Sequence, residues 1–190
     1  MLFESPPESI SINGVDYPIE TDFRIWARFY KIMKDEDELC MFFEQINIPM
    51  NLEAAKAVCW FFSEPFGKSG LQTNEHVKSL DFEKDSDAIY SAFYGTYNID
   101  LSCSKLHWWK FISMFKSLPE DTEIRRAMLF RTIDLKKVPK EQRKYYAEMK
   151  RKYSLCGGDE NVYQTKEQII EYVRKRQSEA KSRMSVLRSK

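Results

Sequence analysis

The sequence has few of the residues that build recognisable catalytic and metal sites. Its 190 residues include four cysteines and two histidines, and they form neither a Cys-x-x-Cys nor a His-x-x-x-His pair, so a metal site is not expected. A cysteine–histidine nucleophile would need partners that meet only in space, and the apolar neighbours of Cys40 and Cys59 argue against an activated thiolate.

A phosphate-binding loop is also missing. Gly67-Lys68-Ser69 resembles the end of such a loop, but Phe62 stands where the motif needs a glycine to wrap the phosphate. The paired carboxylates of the chain lie where helix caps and first turns favour acidic residues. The sequence therefore predicts no enzyme activity, no metal and no cofactor.

Long apolar runs are absent as well. No stretch approaches the roughly 20 residues that span a bilayer, and the first residues, MLFESP, lack the basic start of a signal peptide. These features predict a cytoplasmic protein with no membrane partner, and the unpaired cysteines fit a reducing compartment. The composition is 43% hydrophobic and 14% aromatic, which is enough to bury a sizeable core.

Net charge is close to zero, but its distribution is uneven. Residues 1–135 carry 14 Lys and Arg against 22 Asp and Glu, a balance of −8, whereas residues 136–190 carry 16 against 7, a balance of +9. The two balances add up to the overall +1. A basic C-terminal part can attract the acidic body, serve a partner, or simply be a solvated helix face rich in Lys and Arg, and the last is favoured.

The only clear β signal lies near the N-terminus. Residues 9–12 alternate between serine and isoleucine, Asn13-Gly14 has the composition of a type I′ turn, and the chain returns through residues 15–19. Pro18 removes a backbone donor, which suits an edge strand. We therefore predict a hairpin over about 9–20, which must pack on helices because a lone hairpin is marginal in water.

Hydrophobic residues then recur every three or four positions, which predicts a mainly α fold. Thr21-Asp22 and Asn51 are predicted helix caps, and Ser104 is predicted to cap a later helix. Residues 117–120 (SLPE) resemble a capping box that would open the next helix, and residues 140–153 are predicted to be helical. The polar residues 67–87 are predicted to form a loop.

The C-terminal part is predicted to be a separate element. The expected organisation is a compact helical domain over 1–155, a hinge over 156–164 that contains Gly157-Gly158, and a basic helix over 165–190. The last helix carries a narrow apolar seam, formed by Ile170, Val173, Gln177, Ala180, Met184 and Leu187.

Two adjacent tryptophans stand out among the aromatic residues. Trp108 and Trp109, followed by Phe111, are suited to anchoring a partner because tryptophan dominates binding hot spots. At helical spacing, burial in the core is the favoured alternative. The predicted partner-binding residues are Trp108, Trp109, Phe111, Ile170, Val173, Met184 and Leu187.

Several runs together resemble the Gp15 family of bacteriophage proteins. They are residues 105–111 (KLHWWKF), 118–124 (LPEDTEI), 128–135 (MLFRTIDL) and 145–155 (YYAEMKRKYSL), preceded by a hairpin and residues 21–24 (TDFR). The resemblance covers most of residues 10–155. This family comes from long-tailed phages and prophages of Gram-positive bacteria and has no established catalytic residues.

The resemblance implies a function. The family is encoded in the tail-morphogenesis region, typically just before the tape-measure gene, so its members are expected to be tail assembly chaperones. Such a protein would self-associate, bind the phage tape-measure protein and keep it soluble in the host cytoplasm. One alternative is a structural tail component retained in the virion, and a less favoured one is a DNA-binding protein that uses the basic C-terminal part.

Overall fold

The computed structural model describes residues 5–32, 36–66 and 79–155, together with 170, 171, 173–175 and 178 of the C-terminal segment. These residues fall into two units. The first contains the described residues up to 66, residues 107–110 and the described C-terminal positions, and the second contains residues 79–106 and 111–155. The predicted mainly α fold with an N-terminal hairpin is confirmed.

The hairpin consists of β1 (Ser9–Ile12) and β2 (Val15–Pro18), which pair antiparallel. Asn13 and Gly14 connect them with φ angles of +52° and +79°, as a type I′ turn requires. The turn is therefore the one predicted from the Asn-Gly pair. Ile10 and Ile12 are buried and β1 packs on α3 (Leu52–Ser63), so the hairpin gains the helix support it needs.

The first unit also contains the helices α1 (Phe23–Ile32), α2 (Glu36–Gln45) and α3. The caps predicted for α1 and α3 are confirmed. A carboxylate oxygen of Asp22 accepts the backbone N–H of Arg24 at 2.9 Å, and the Asn51 side chain accepts that of Ala54 at 2.8 Å.

The core of the first unit is aromatic. The indole of Trp26, which is fully buried, lies 4.6 Å from the Phe61 ring and 5.6 Å from the Phe29 ring, centroid to centroid. Its Nε1–H donates to the Glu20 backbone oxygen at 2.7 Å, so no polar group of the indole is left unpaired.

The second unit contains α4 (Ser86–Tyr97), α6 (Glu123–Thr132) and α7 (Arg143–Lys152). It also contains the greater part of α5 (Trp108–Lys116), from Phe111 onward. Phe93 on α4 stacks on Phe111 at 4.9 Å between ring centroids, and the Tyr97 hydroxyl donates to the Met114 backbone oxygen at 2.8 Å.

Two predicted helix starts are wrong. Ser104 does not cap α5, because the chain continues without helix through His107, which forms an isolated β-bridge with Asp22. Residues 117–120 do not open α6 either. The backbone N–H and the hydroxyl of Thr122 both donate to the Pro119 oxygen, at 3.1 and 2.7 Å, and close a turn before the helix begins.

The described positions between 170 and 178 are helical, in agreement with the predicted C-terminal helix. The predicted hinge over 156–164 lies outside the described residues, as do positions 67–78 of the predicted loop. The division into a domain over 1–155, a hinge and a C-terminal helix stays a prediction.

Candidate partner-binding surface

The two adjacent tryptophans cap the C-terminal end of α3. The Nε1–H of Trp108 donates to the Phe62 backbone oxygen and that of Trp109 to the Phe61 oxygen, each at 2.8 Å. The last four carbonyl groups of a helix have no partner within the helix. Two of the four at the end of α3 are therefore satisfied by consecutive indoles.

Pro65 explains why one of these carbonyls needs an external donor. In a continuing helix, the Phe61 oxygen would accept the N–H of the residue four positions later, which is Pro65, and proline has no N–H. The chain turns into a 3₁₀ segment over Glu64–Phe66 instead. The Trp109 indole supplies the missing donor, so this pair of tryptophans has a structural role.

The other predicted partner-binding residues differ in exposure. Trp108, Phe111 and Val173 are buried, Trp109 and Ile170 are half-buried, and Met184 and Leu187 lie outside the described residues. The structure does not bring the seven together at one surface within the described residues. Their role in binding stays a prediction.

His107 connects the start of α5 to the start of the hairpin. Its Nδ1 accepts the backbone N–H of Trp109 at 3.0 Å, so Nε2 carries the proton and donates to the Pro7 oxygen at 3.0 Å. Burial lowers the pKa of His107 and the Lys110 charge adds to this, while the Pro7 carbonyl and Glu8 act in the opposite direction. The fold therefore favours the neutral imidazole.

We expect acid to weaken this contact. Because the pKa of His107 is lower in the folded chain than its ordinary value of 6.5, the unfolded chain takes up the proton first as the pH falls. The stability that neutral His107 contributes to the folded chain is therefore complete above pH 6.5 and declines below it. Thermal unfolding measured between pH 7.5 and 5.5 should show a falling Tm.

The His107→Asn variant is the matched control. Asparagine offers a side-chain oxygen to the Trp109 N–H and does not titrate. Its Tm should depend less on pH over the same range, and an unchanged slope would rule out His107 as the titrating group.

A large groove with a mainly apolar lining lies beside α2 in the first unit, and we call it the Met41 groove. It has a volume of about 1200 Å³. Its apolar lining includes Tyr17, Pro18, Met41, Phe43, Ile46 and Met50. Met41 is 64% exposed, and a methionine side chain adapts its shape to different apolar partners.

The end of α2 shapes the floor of this groove. Asn47 has a φ of +53°, and the Ile48 N–H donates to the Phe43 oxygen at 3.1 Å. This is a Schellman ending, in which the left-handed residue is usually glycine or asparagine. The chain turns there and leads Pro49 and Met50 along the groove.

The Met41 groove was not predicted from the sequence. Met41 lies in the run LCMFFEQI, which has the composition of a core segment. The signal that could have found it is Asn47-x-Pro49, since a helix stop followed by proline carries apolar residues out of the helix. Among the described residues of the lining, Glu44 alone carries a charge, so this part of the groove is apolar with an acidic side chain at its wall.

The second unit contains a buried ion pair. Arg131 Nη1 and Nη2 donate to the two carboxylate oxygens of Asp85, at 2.7 and 2.8 Å. The same guanidinium donates to the Ser79 oxygen at 3.0 Å and to the Tyr153 oxygen at 2.7 Å. With its donors directed at protein acceptors, Arg131 fixes the ends of three segments and is not a free anion-binding group.

The remaining polar chemistry is sparse. Tyr90 and Tyr94 stack at 6.1 Å on the exposed side of α4. Partial burial raises the pKa of Tyr90, and the neighbouring Asp100 carboxylate adds to this. The pKa of Asp100 is lowered, chiefly by the hydrogen bond from the Ser102 hydroxyl. In the part of the chain that the structure describes, no three acidic, histidine or cysteine residues lie close enough to hold a metal ion.

These features define the class of protein. It is a mainly helical protein with an N-terminal hairpin and an open apolar groove. Among the described helices, none has the length and hydropathy needed to cross a membrane.

The chain belongs to a known family. The family model described as Bacteriophage Gp15 protein matches residues 2–155, which is most of the chain. The comparison with curated proteins and the comparison with solved structures each found no match.

Proposed function

We propose that this protein is a phage tail assembly chaperone that binds the tape-measure protein and keeps it soluble in the host cytoplasm, without enzyme activity. Family membership supports a role in a bacteriophage. The observation that carries the finer proposal is the Met41 groove, which leaves apolar area open to solvent on a well-packed unit.

The chemistry of the groove suits such a client. A tape-measure protein is a long helical chain with apolar seams, which aggregates unless the seams are covered. An apolar helix face binds in a groove through side chains spaced three and four residues apart. Methionine at the rim permits reversible contact with varied sequences, as a chaperone that must later release its client requires.

Co-expression with the tape-measure protein of the same phage or prophage tests the proposal. We expect the wild-type chain to raise the soluble fraction of the client several-fold. Met41→Glu should abolish most of that gain, because a charge in an apolar interface must be desolvated. Since Met41 is 64% exposed, this substitution should leave the stability of the free chain nearly unchanged.

Leu129→Glu is the matched control, because Leu129 is also apolar and 55% exposed but lies in the second unit. This variant should retain full rescue. No rescue by the wild-type chain would refute the chaperone function. Equal rescue by wild type and Met41→Glu would refute the groove as the client site and leave the function standing.

A further inference from the structure

Trp60 is the one tryptophan whose indole N–H has no acceptor among the described residues. The other three, Trp26, Trp108 and Trp109, each donate their Nε1–H to a backbone oxygen, at 2.7 or 2.8 Å. Trp60 lies on the exposed side of α3, and 42% of its surface is open to solvent. A tryptophan in this setting offers a partner both an apolar ring and a hydrogen-bond donor.

The ring of Trp60 is supported by a neighbouring tryptophan. The Trp109 ring lies 5.6 Å from it, centroid to centroid, in an edge-to-face arrangement. Trp109 is itself held by the hydrogen bond to the Phe61 oxygen. A side chain that is fixed before binding loses less conformational entropy when a partner arrives. Trp60 is therefore a preorganised anchor rather than a freely rotating surface residue.

A groove lies beside Trp60, between the hairpin and α3, and we call it the Trp60 groove. It has a volume of about 490 Å³, which is room for a single large side chain. It combines one large aromatic ring with hydroxyl and charged groups. Its described lining consists of Ser9, Ser11, Asp16, Glu53, Lys56, Ala57 and Trp60.

The charges of the Trp60 groove do not cancel. Lys56 Nζ pairs with a carboxylate oxygen of Glu53 at 2.8 Å, whereas the Asp16 carboxylate has no partner in the described part of the chain. The groove therefore keeps one uncompensated negative charge. The surrounding unit adds to it, because residues 1–66 carry 5 Lys and Arg against 12 Asp and Glu. This balance favours a cationic ligand over an acidic one.

We propose that the Trp60 groove binds an arginine side chain of a partner polypeptide, with the guanidinium on the Trp60 ring and its N–H groups directed at Asp16. A guanidinium is planar, so it stacks on an indole while its fork of N–H groups pairs with a carboxylate. Lysine has the charge without the plane and fits less well. The inference depends neither on the Met41 groove nor on the tape-measure client.

NMR spectroscopy of the full wild-type chain with three blocked alanine pentapeptides tests the site. Their central residue is arginine, lysine or citrulline, which has the shape of arginine without its charge. The Trp60 Nε1–H signal, identified by its loss in Trp60→Phe, should shift most with the arginine peptide and stay in place with citrulline. The signals of Trp26 and Trp108, which are fully buried, should not move. A Trp60 signal that stays in place with arginine, or that responds equally to lysine or citrulline, would overturn the proposal.

Asp16→Asn and Glu44→Gln separate the local contact from the overall charge. Both residues are exposed acids of the first unit, but Glu44 lines the Met41 groove. Each substitution removes one negative charge and should leave the stability of the chain nearly unchanged. Asp16→Asn should weaken binding of the arginine peptide about three-fold to five-fold in Kd, the effect of one exposed ion pair. Glu44→Gln should keep the wild-type Kd, and equal Kd values for the two variants would overturn the proposal.

Discussion

Replacing Arg131 by methionine is expected to destabilise the folded chain by about 3–5 kcal/mol, the usual cost of removing one partner from a buried ion pair. Arg131 and Asp85 are only 7% and 6% exposed. The variant leaves the Asp85 carboxylate buried without its counter-ion, and the Ser79 and Tyr153 oxygens lose their donor. Urea unfolding followed by circular dichroism measures the loss.

Arg126→Met is the control, because Arg126 lies on the same helix but is exposed. Its effect should stay within about 0.5 kcal/mol. Adding Asp85→Leu to Arg131→Met should restore part of the stability, since the uncompensated charge is then gone. A loss below about 1 kcal/mol for Arg131→Met would show that water reaches Asp85 and that the pair is not buried in solution.

The ion pair between Asp85 and Arg131 could not be predicted from the sequence. Asp85 and Arg131 are 46 positions apart, and nothing in their local patterns connects them. In the run MLFRTIDL, the pattern around Arg131 is that of an ordinary polar residue at the end of a helix. Its burial follows from the packing of α4, α6 and the end of α7, which is tertiary information.

Turns and helix caps that depend on neighbouring residues, by contrast, could be predicted from the sequence. Asn13-Gly14 specifies its turn because both residues tolerate positive φ, and the Asn51 side chain caps α3 because its oxygen reaches the third N–H of the helix. Ser104 failed as a cap for a non-local reason. The Trp108 N–H donates to the Thr21 oxygen at 2.7 Å, and this tertiary bond keeps the preceding residues out of the helix.

The Met41 groove could be predicted from the sequence only in part. The helix stop at Asn47 is local and could have been recognised, but the exposure of Met41 depends on which side of α2 faces the core. Leu39, Phe42 and Phe43 are buried on that helix, and with so many apolar neighbours the hydrophobic pattern does not separate the buried face from the open one.

Truncation of Trp108 and of Trp109 to alanine should show how much each indole contributes to the free energy of unfolding. Trp108→Ala is expected to cost about 3–5 kcal/mol, because the indole is fully buried and stacks on Phe62 at 5.4 Å. Trp109→Ala should cost clearly less, since that indole is half-buried and the cavity it leaves is open to water. Both losses can be measured by urea unfolding of the full chain.

The phenylalanine variants isolate the capping bonds from the packing. Trp108→Phe leaves the buried Phe62 oxygen without a donor, at a cost of about 1–3 kcal/mol, whereas water can replace the indole at the Phe61 oxygen in Trp109→Phe. If Trp109 instead serves mainly to anchor a partner, Trp109→Ala should reduce client rescue while the free energy of unfolding stays at the wild-type value. If Trp109→Ala lowers both client rescue and the free energy of unfolding, the role of Trp109 is to hold the end of α3, where its indole replaces the donor that Pro65 lacks.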